Sequence, residues 1–137
     1  MTIEERLENA EKEIEKLKQI RVGGSTKEIR ANKIVIEDEN SKRRAKLVAG
    51  KDGPALELFN EDGWLRASLV VLKDGPHLVL VDENNKLRIK LDADKDHPSL
   101  SLYDENGNGR AELGVSKDGP GLVMYDENGK VIWSAIK

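Results

Sequence analysis

The chain has 137 residues, of which 37% are hydrophobic, 36% charged and only 4% aromatic. A chain of this length holds one ordinary domain, or a small domain with an appendage. Its composition can bury one face of a sheet but not a thick core. The net charge of −3, with both signs interspersed, indicates neither a nucleic-acid-binding surface nor a membrane-binding patch. Because cysteine is absent, disulfides, thiol nucleophiles and thiolate metal sites are excluded.

The N-terminal segment is charged throughout, which argues against a signal peptide. No apolar run in the sequence is long enough to span a bilayer. We therefore expect a cytoplasmic location. The many Lys and Glu residues are typical of heat-stable proteins.

Residues 1–22 are predicted to form a coiled-coil helix. The apolar residues that recur at alternating spacings of four and three are Ile3, Leu7, Ala10, Ile14 and Leu17. This is the a/d pattern of a heptad repeat. In a parallel assembly Arg6 of one helix faces Glu11 of the next, and both belong to a segment that resembles the R-h-x-x-h-E signature of short three-stranded coiled coils. The alternative is a single amphipathic helix docked on its own domain. Residues 23–32 are predicted to be a flexible linker.

From residue 33 onward a 22-residue unit repeats without insertion, which predicts a repeat architecture. Its clearest marker is the segment Lys51-Asp52-Gly53-Pro54, which recurs at the same step with His97 in place of glycine in the third copy. An arginine keeps the same step at Arg44, Arg66, Arg88 and Arg110.

Each unit is predicted to contain two strands, because apolar and polar residues alternate in it. The dipeptide Asn106-Gly107 favours a two-residue type I′ hairpin turn, and Asp52-Gly53 is expected to form the second two-residue loop. The opposite pairs that follow are Leu102–Ala111, Leu100–Leu113, Tyr103–Arg110, Leu47–Leu58 and Ala49–Leu56. Both turns place the leucines on one face. The register then advances by two residues per hairpin, which implies a strand tilt of about 35°.

The predicted fold class is mainly β: an antiparallel β-meander of about ten strands over residues 33–137, preceded by the helix. The inner face is expected to carry Ile34, Ile36, Ala45, Leu47, Leu56, Leu58, Ala67, Leu69, Leu78, Leu80, Ile89, Leu91, Leu100, Leu102, Ala111, Leu113, Leu122, Met124 and Trp133. Burying each large side chain is worth about 1.5–3 kcal/mol, so this face requires a cover. Two solutions remain open: a closed ten-stranded barrel within one chain, or a homotrimeric β-prism. The coiled coil and the small inner side chains favour the trimer.

The short heptad helix, the D-x-x-G-x-x-R-A-x-L units and the K-D-G-P turns resemble a group of uncharacterised prokaryotic repeat proteins. The matching stretches include residues 62–69 and 104–113. The resemblance implies a coiled coil followed by β-hairpin repeats, and it implies no activity. The departures are local: Ser41 and Asn85 replace the turn glycine, and Asp92 interrupts an apolar-tolerant position.

A ladder of arginine and aromatic side chains on the outer face is the candidate ligand surface, for a carbohydrate or an anionic ligand. Its members are Phe59, Arg66, Arg88, Tyr103, Arg110 and Tyr125. The alternative is a ladder that packs within the chain and solubilises the outer face.

Other candidate chemistry is explained by turns. Residues 104–109 copy the first half of a calcium-binding loop, but Val115 stands where a bidentate Glu is needed. His77 and His97 lie beside turns, and neither has a second His or Cys at ligand spacing. We expect no catalytic residue, no metal and no cofactor.

The sequence therefore predicts a non-enzymatic, homotrimeric structural or oligomerisation module, such as a spacer, stalk or scaffold. Its expected partner is itself, with neither nucleic acid nor membrane. The alternative function is a repeat binding module that uses the outer ladder.

Overall fold

The computed structural model describes residues 1–19 and 29–136, with the side chains of residues 16–19 and 136 excepted. The helix is α1 (Ile3–Gln19), and the strands are β1 (Lys33–Glu37), β2 (Arg43–Ala49), β3 (Pro54–Phe59), β4 (Leu65–Val71), β5 (Pro76–Val81), β6 (Leu87–Asp92), β7 (Ser99–Tyr103), β8 (Gly109–Ser116), β9 (Gly119–Tyr125) and β10 (Val131–Ile136). The chain divides into two compact units, residues 1–32 and 33–137.

Helix α1 begins with a capping box. The Thr2 hydroxyl accepts a hydrogen bond from the Glu5 backbone N–H at 3.2 Å, and the Glu5 carboxylate accepts one from the Thr2 N–H at 2.7 Å. This reciprocal pair satisfies backbone donors that the first helical turn leaves without partners. A helix was predicted over residues 1–22, and its last residues together with most of the predicted linker lie outside the described residues.

The ten strands form one antiparallel sheet in which each strand pairs with its neighbours in the sequence, in the order β1 to β10. The predicted ten-stranded meander is therefore confirmed. Strands β1 and β10 are the two edges of this sheet, so residues 29–136 form an open sheet and not a closed barrel.

The inner-face side chains form two straight rows across the sheet. The first row is Ile34, Leu47, Leu56, Leu69, Leu78, Leu91, Leu100, Leu113, Leu122 and Ala135, and the second is Ile36, Ala45, Leu58, Ala67, Leu80, Ile89, Leu102, Ala111, Met124 and Trp133. Equivalent residues of successive units lie in one row, so the register does not advance from hairpin to hairpin. The predicted advance of two residues per hairpin, and the tilt derived from it, are wrong. Barrel closure requires such a stagger.

The error comes from the Lys-Asp-Gly-Pro turn. The two-residue loop is Lys51-Asp52, flanked by Gly50 and Gly53, which exchange backbone hydrogen bonds of 3.1 and 3.3 Å. Leu47 therefore lies opposite Leu56, and not opposite Leu58 as predicted.

Gly53 is required at this turn by its close approach to the end of the neighbouring strand β4. Its φ is +144°, and a Cβ atom there would lie 1.8 Å from the carbonyl oxygen of Val71. Only glycine fits a backbone position that approaches a neighbouring strand so closely. The predicted loop was wrong by one residue at each end, which shifted the register by two and left every side chain on its predicted face.

The turn at Asn106-Gly107 also differs from the type I′ prediction. The Gly107 N–H donates to the Asp104 carbonyl, so Glu105 and Asn106 are the central residues, and only Gly107 has positive φ, at +87°. The Asp104 N–H donates to the Asn108 carbonyl, which makes this a three-residue loop with a left-handed glycine. The Asp104 carboxylate holds the loop by accepting hydrogen bonds from the backbone N–H groups of Asn106 and Asn108.

A β-bulge follows each of these turns and restores the predicted pairing. In the fourth hairpin the partners change from Leu102–Ala111 to Tyr103–Gly109, so Arg110 is the extra residue. The prediction that Tyr103 lies opposite Arg110 is therefore wrong, whereas the predicted pair Leu102–Ala111 is confirmed. The bulge residues of the five hairpins are Arg44, Arg66, Arg88, Arg110 and Ile132.

The single sheet has no covered core. Among the described residues no apolar side chain is buried, and Leu56 and Leu113 of the inner face are 40% and 52% exposed. One chain therefore leaves its leucine rows accessible on one side of the sheet.

Candidate functional site

The inner face is a large apolar surface that nothing covers in the described part of the chain. Leu56 lies directly opposite Leu47 and Leu69 in one row, and such rows continue across all ten strands. Half-exposed aliphatic side chains in two contiguous rows make an apolar patch of a kind that monomeric proteins rarely present. This face is suited to pack on another apolar surface.

The apolar stripe of helix α1 is exposed in the same way. Ile3, Leu7 and Ile14 are 83%, 62% and 50% exposed, and Ala10, Arg6 and Glu11 are exposed beside them. The side chain of Leu17 lies outside the described residues. The stripe contains the a/d positions that a coiled coil buries.

The predicted arginine ladder is placed at the bulges, where its guanidinium groups turn back to the protein. Nη1 of Arg88 lies 3.1 Å from the Asp82 carboxylate, which is six residues earlier in its own hairpin turn, and Nη1 of Arg110 lies 3.4 Å from Asp104 in the same way. Arg66 has Asn60 at the equivalent turn position. Its Nη1 donates instead to the Asp82 carbonyl at 2.8 Å, in the next hairpin.

A second set of bonds from these arginines joins consecutive hairpins. Nε of Arg88 donates to the Tyr103 carbonyl and Nε of Arg110 to the Tyr125 carbonyl, both at 3.0 Å. The tyrosines are therefore engaged through their backbone. Each arginine ties its turn to the following hairpin, and these contacts use Nε and Nη1 of the guanidinium, which leaves fewer donors for an anionic ligand.

The aromatic member at Phe59 is covered by Arg43, an arginine that does not belong to the predicted ladder. The guanidinium carbon of Arg43 lies 4.1 Å from the centre of the Phe59 ring, which is within cation–π range. The structure thus brings the predicted ladder residues together on hairpins, but as contacts within the chain.

The sequence-based interpretation missed a charged cluster on the outer face, between β5 and β6. His77 lies opposite Asp92 across the strands. Its Nδ1 is 2.5 Å from Asp92 and its Nε2 is 3.0 Å from Asp74, while Nζ of Lys90 is 2.8 Å from Asp92. The signal was available, because a histidine and an aspartate replace the small or aliphatic residues that the other units carry at these positions, apart from Lys33 in the first unit.

These contacts shift the pKa values of the cluster. Hydrogen bonds to Asp92 and Asp74 raise the pKa of His77 above its usual 6.5. Burial acts to raise the pKa of Asp92, but hydrogen bonds from Lys90 and His77 outweigh it and hold the pKa below the usual 3.8. Asp92 is only 9% exposed. With both ring nitrogens of His77 against carboxylates, the protonated imidazolium is the form that satisfies both.

The half-copy of a calcium loop is a hairpin turn. The Asp104 carboxylate is occupied by the N–H groups of its own turn and by Arg110. The hydrogen bond from the Asn108 N–H lowers the pKa of Asp104, against the effect of burial. Among the described residues no group of three or more His, Asp or Glu side chains is placed to hold a metal ion.

No protein-family model and no curated protein matches the sequence, so the resemblance to prokaryotic repeat proteins stays a prediction. In the described part of the chain, no helix is long and apolar enough to cross a membrane.

Proposed function

We propose that this protein is a non-enzymatic, homotrimeric structural module, a spacer, stalk or scaffold in which three sheets pack their leucine rows about a common axis. Two observations together carry the proposal. The leucines form rows across the sheet, and no apolar side chain among the described residues is buried.

The straight register suits a prism. Strands that pair without stagger keep their leucines in rows that run across the whole sheet, so ten strands span roughly 43 Å at about 4.8 Å per strand. Three such faces have a long shared interior, and their length suits a rod-like spacer.

The sequence of helix α1 favours an assembly of three chains. Arg6 and Glu11 stand at the positions of the three-stranded coiled-coil signature, and Leu7 and Ile14 of the same helix are exposed in the single chain. Fewer than three heptads are marginal alone, so the sheet interface and the helix interface would support each other.

Size-exclusion chromatography with light scattering tests the proposal directly. We expect a mass of three times the 15.3 kDa of the chain at micromolar concentration, or of twice that trimer if two trimers associate. A folded monomer, or a mass that is not a multiple of three chains, would refute the three-sheet assembly.

The alternative function, recognition of a carbohydrate or anion by the outer ladder, is not favoured by the contacts of Arg66, Arg88 and Arg110. Their guanidinium groups already donate to turn oxygens and strand carbonyls within the chain. A glycan or anion that binds the wild-type protein and is lost in the double variant Arg66→Ala, Arg88→Ala would restore this alternative.

A further inference from the structure

The two edges of the sheet differ in their protection. Exposed edge strands are normally blocked by charged residues, because their free backbone groups invite pairing with another chain. Strand β1 carries Lys33 and Glu37 at its two ends, whereas β10 (Val131–Ile136) contains no charged residue. Ile132 and Trp133 of β10 are 62% and 49% exposed. The β10 edge is therefore apolar and unprotected.

The hydrogen-bonding groups of Ser134 point away from β9. Leu72 and Gly75 exchange both backbone hydrogen bonds, and bonded pairs alternate along an antiparallel ladder, so Ser68 directs its N–H and C=O toward β5. Ser134 is three repeat units after Ser68, and β9 pairs with β10 in the same register as β3 with β4. Ser134 therefore directs its N–H and C=O to the open edge.

The inner side chains of β10 invert the size pattern of β2, β4 and β8. In β4 the two inner positions carry Ala67 and Leu69 in sequence order, and in β10 they carry Trp133 and Ala135. If a second β10 runs antiparallel to the first about Ser134, Trp133 of each copy lies opposite Ala135 of the other. A large side chain thus faces a small one at both pairs, as close packing requires, and no like charges meet.

We propose that β10 is a docking edge for β10 of a second copy, paired antiparallel about Ser134, so that two assemblies meet end to end across a twofold axis. The contact is isologous, because the same strand serves both partners. The inference rests on the proposed function only for the affinity of the contact. If three chains assemble, three β10 edges meet at once and bind more tightly than one edge alone.

Single-cysteine variants test the contact, since the natural chain has no cysteine. In a hydrogen-bonded pair the two Cα atoms are about 5.5 Å apart, within the range that a disulfide spans. We expect most chains of Ser134→Cys to become disulfide-linked dimers on mild oxidation with diamide. Ser68→Cys is the matched control: it is the equivalent residue of β4, which has a strand on both sides, and it should stay at background.

A mixture with Val35→Cys distinguishes the opposite arrangement. If the repeat register continued from β10 into β1 of another copy, Ser134 would lie opposite Val35 of that copy. A disulfide that forms only in the mixture of Ser134→Cys and Val35→Cys would overturn the proposal in favour of head-to-tail pairing, and no disulfide in either sample would overturn it outright. These cross-links report on the edge whether or not three sheets pack together.

A charge at the edge gives an independent measure. In Ser134→Lys two lysines would lie directly opposite each other across the proposed contact, which is unfavourable. We expect the assembly mass to fall by half relative to the wild-type protein, whereas Ser68→Lys should leave it unchanged. An unchanged mass in Ser134→Lys would contradict the proposal, as would a wild-type mass that contains an odd number of chains.

Discussion

The two faces of the sheet differ in how regular their sequence is and in how many contacts their side chains make within the chain. The inner face keeps apolar side chains at the same positions in every unit, and its leucines, such as Leu56 and Leu113, are 40% and 52% exposed. The outer face varies from unit to unit, yet several of its polar groups find partners within the chain, as in the pair Lys46–Glu57 at 2.9 Å and in the cluster around Asp92.

The difference indicates which face is directed at other chains. A face that satisfies its own polar groups has little to gain from a partner, whereas apolar area that stays in water costs free energy until it is covered. The uniformity of the leucine rows also means that identical sheets present matching surfaces to each other. We therefore look for assembly at the inner face and for stability within the chain at the outer face.

The largest expected effect comes from a charge on the inner face. In Leu102→Asp an unpaired carboxylate would enter the shared interior, at a cost of about 4 kcal/mol or more per chain. We expect loss of the oligomer and of the cooperative thermal transition, measured by light scattering and circular dichroism.

Ser101→Asp is the matched control for this variant. Ser101 is the adjacent residue on the outer face, between Lys90 and Glu112, so a new carboxylate there meets one neighbour of each sign. Its effect should stay below about 1 kcal/mol. A stable, assembled Leu102→Asp protein would mean that the inner face is not the interface.

The next effect concerns the charged cluster of the outer face, where His77 contacts Asp74 and Asp92, and Asp92 also contacts Lys90. The folded state raises the pKa of His77, so the stability from this group is fully present below its usual value of 6.5 and is lost as the pH rises through the raised value. We expect the melting temperature to fall across that interval.

The carboxylates of the same cluster have the opposite pH dependence: their contribution to stability is lost as the pH falls. The pKa of Asp92 and that of Asp74 are lowered, so their contribution is present above the usual 3.8 and is lost as the pH falls through the lowered values.

His77→Gln should abolish the decrease in melting temperature above pH 6.5. His97→Gln, whose ring nitrogen lies 4.0 Å from Glu112, should retain it. The same decrease in both variants would assign the pH dependence to other groups.

The assignment of residues to the two faces was predictable from the sequence, because it depends only on the alternation of side chains along each strand. A side chain keeps its face when the register is wrong by two residues, which is why Leu47 was assigned to the correct face with the wrong partner. The loop itself was not predictable from its dipeptide, because Gly53 is required by its approach to the Val71 carbonyl at the end of β4. His77 and Asp92 are fifteen residues apart, but the hairpin pairing that was predicted correctly, as in Leu102–Ala111, places them opposite each other. Their contact could therefore have been predicted from the sequence.

The smallest expected effects compare two neighbours in one hairpin, Glu105 and Arg110. Glu105 is exposed at the centre of its turn, so Glu105→Ala should change the free energy of unfolding by less than about 0.5 kcal/mol. Arg110 donates to the Tyr125 carbonyl at 3.0 Å and lies 3.4 Å from Asp104, so Arg110→Ala should cost about 1 kcal/mol.

Chemical denaturation of the two variants, with the oligomeric state monitored in parallel, separates the two roles considered for the arginines. If Arg110 only joins hairpins, Arg110→Ala should shift the denaturation midpoint and leave the subunit number unchanged, because the bulge lies at the turn end of the strand and its guanidinium contacts the chain's own oxygens. A silent Arg110→Ala would show that these bonds make no net contribution to stability. The polar contacts of the outer face would then not explain why Arg110 is there, and the contrast between the two faces would be weaker.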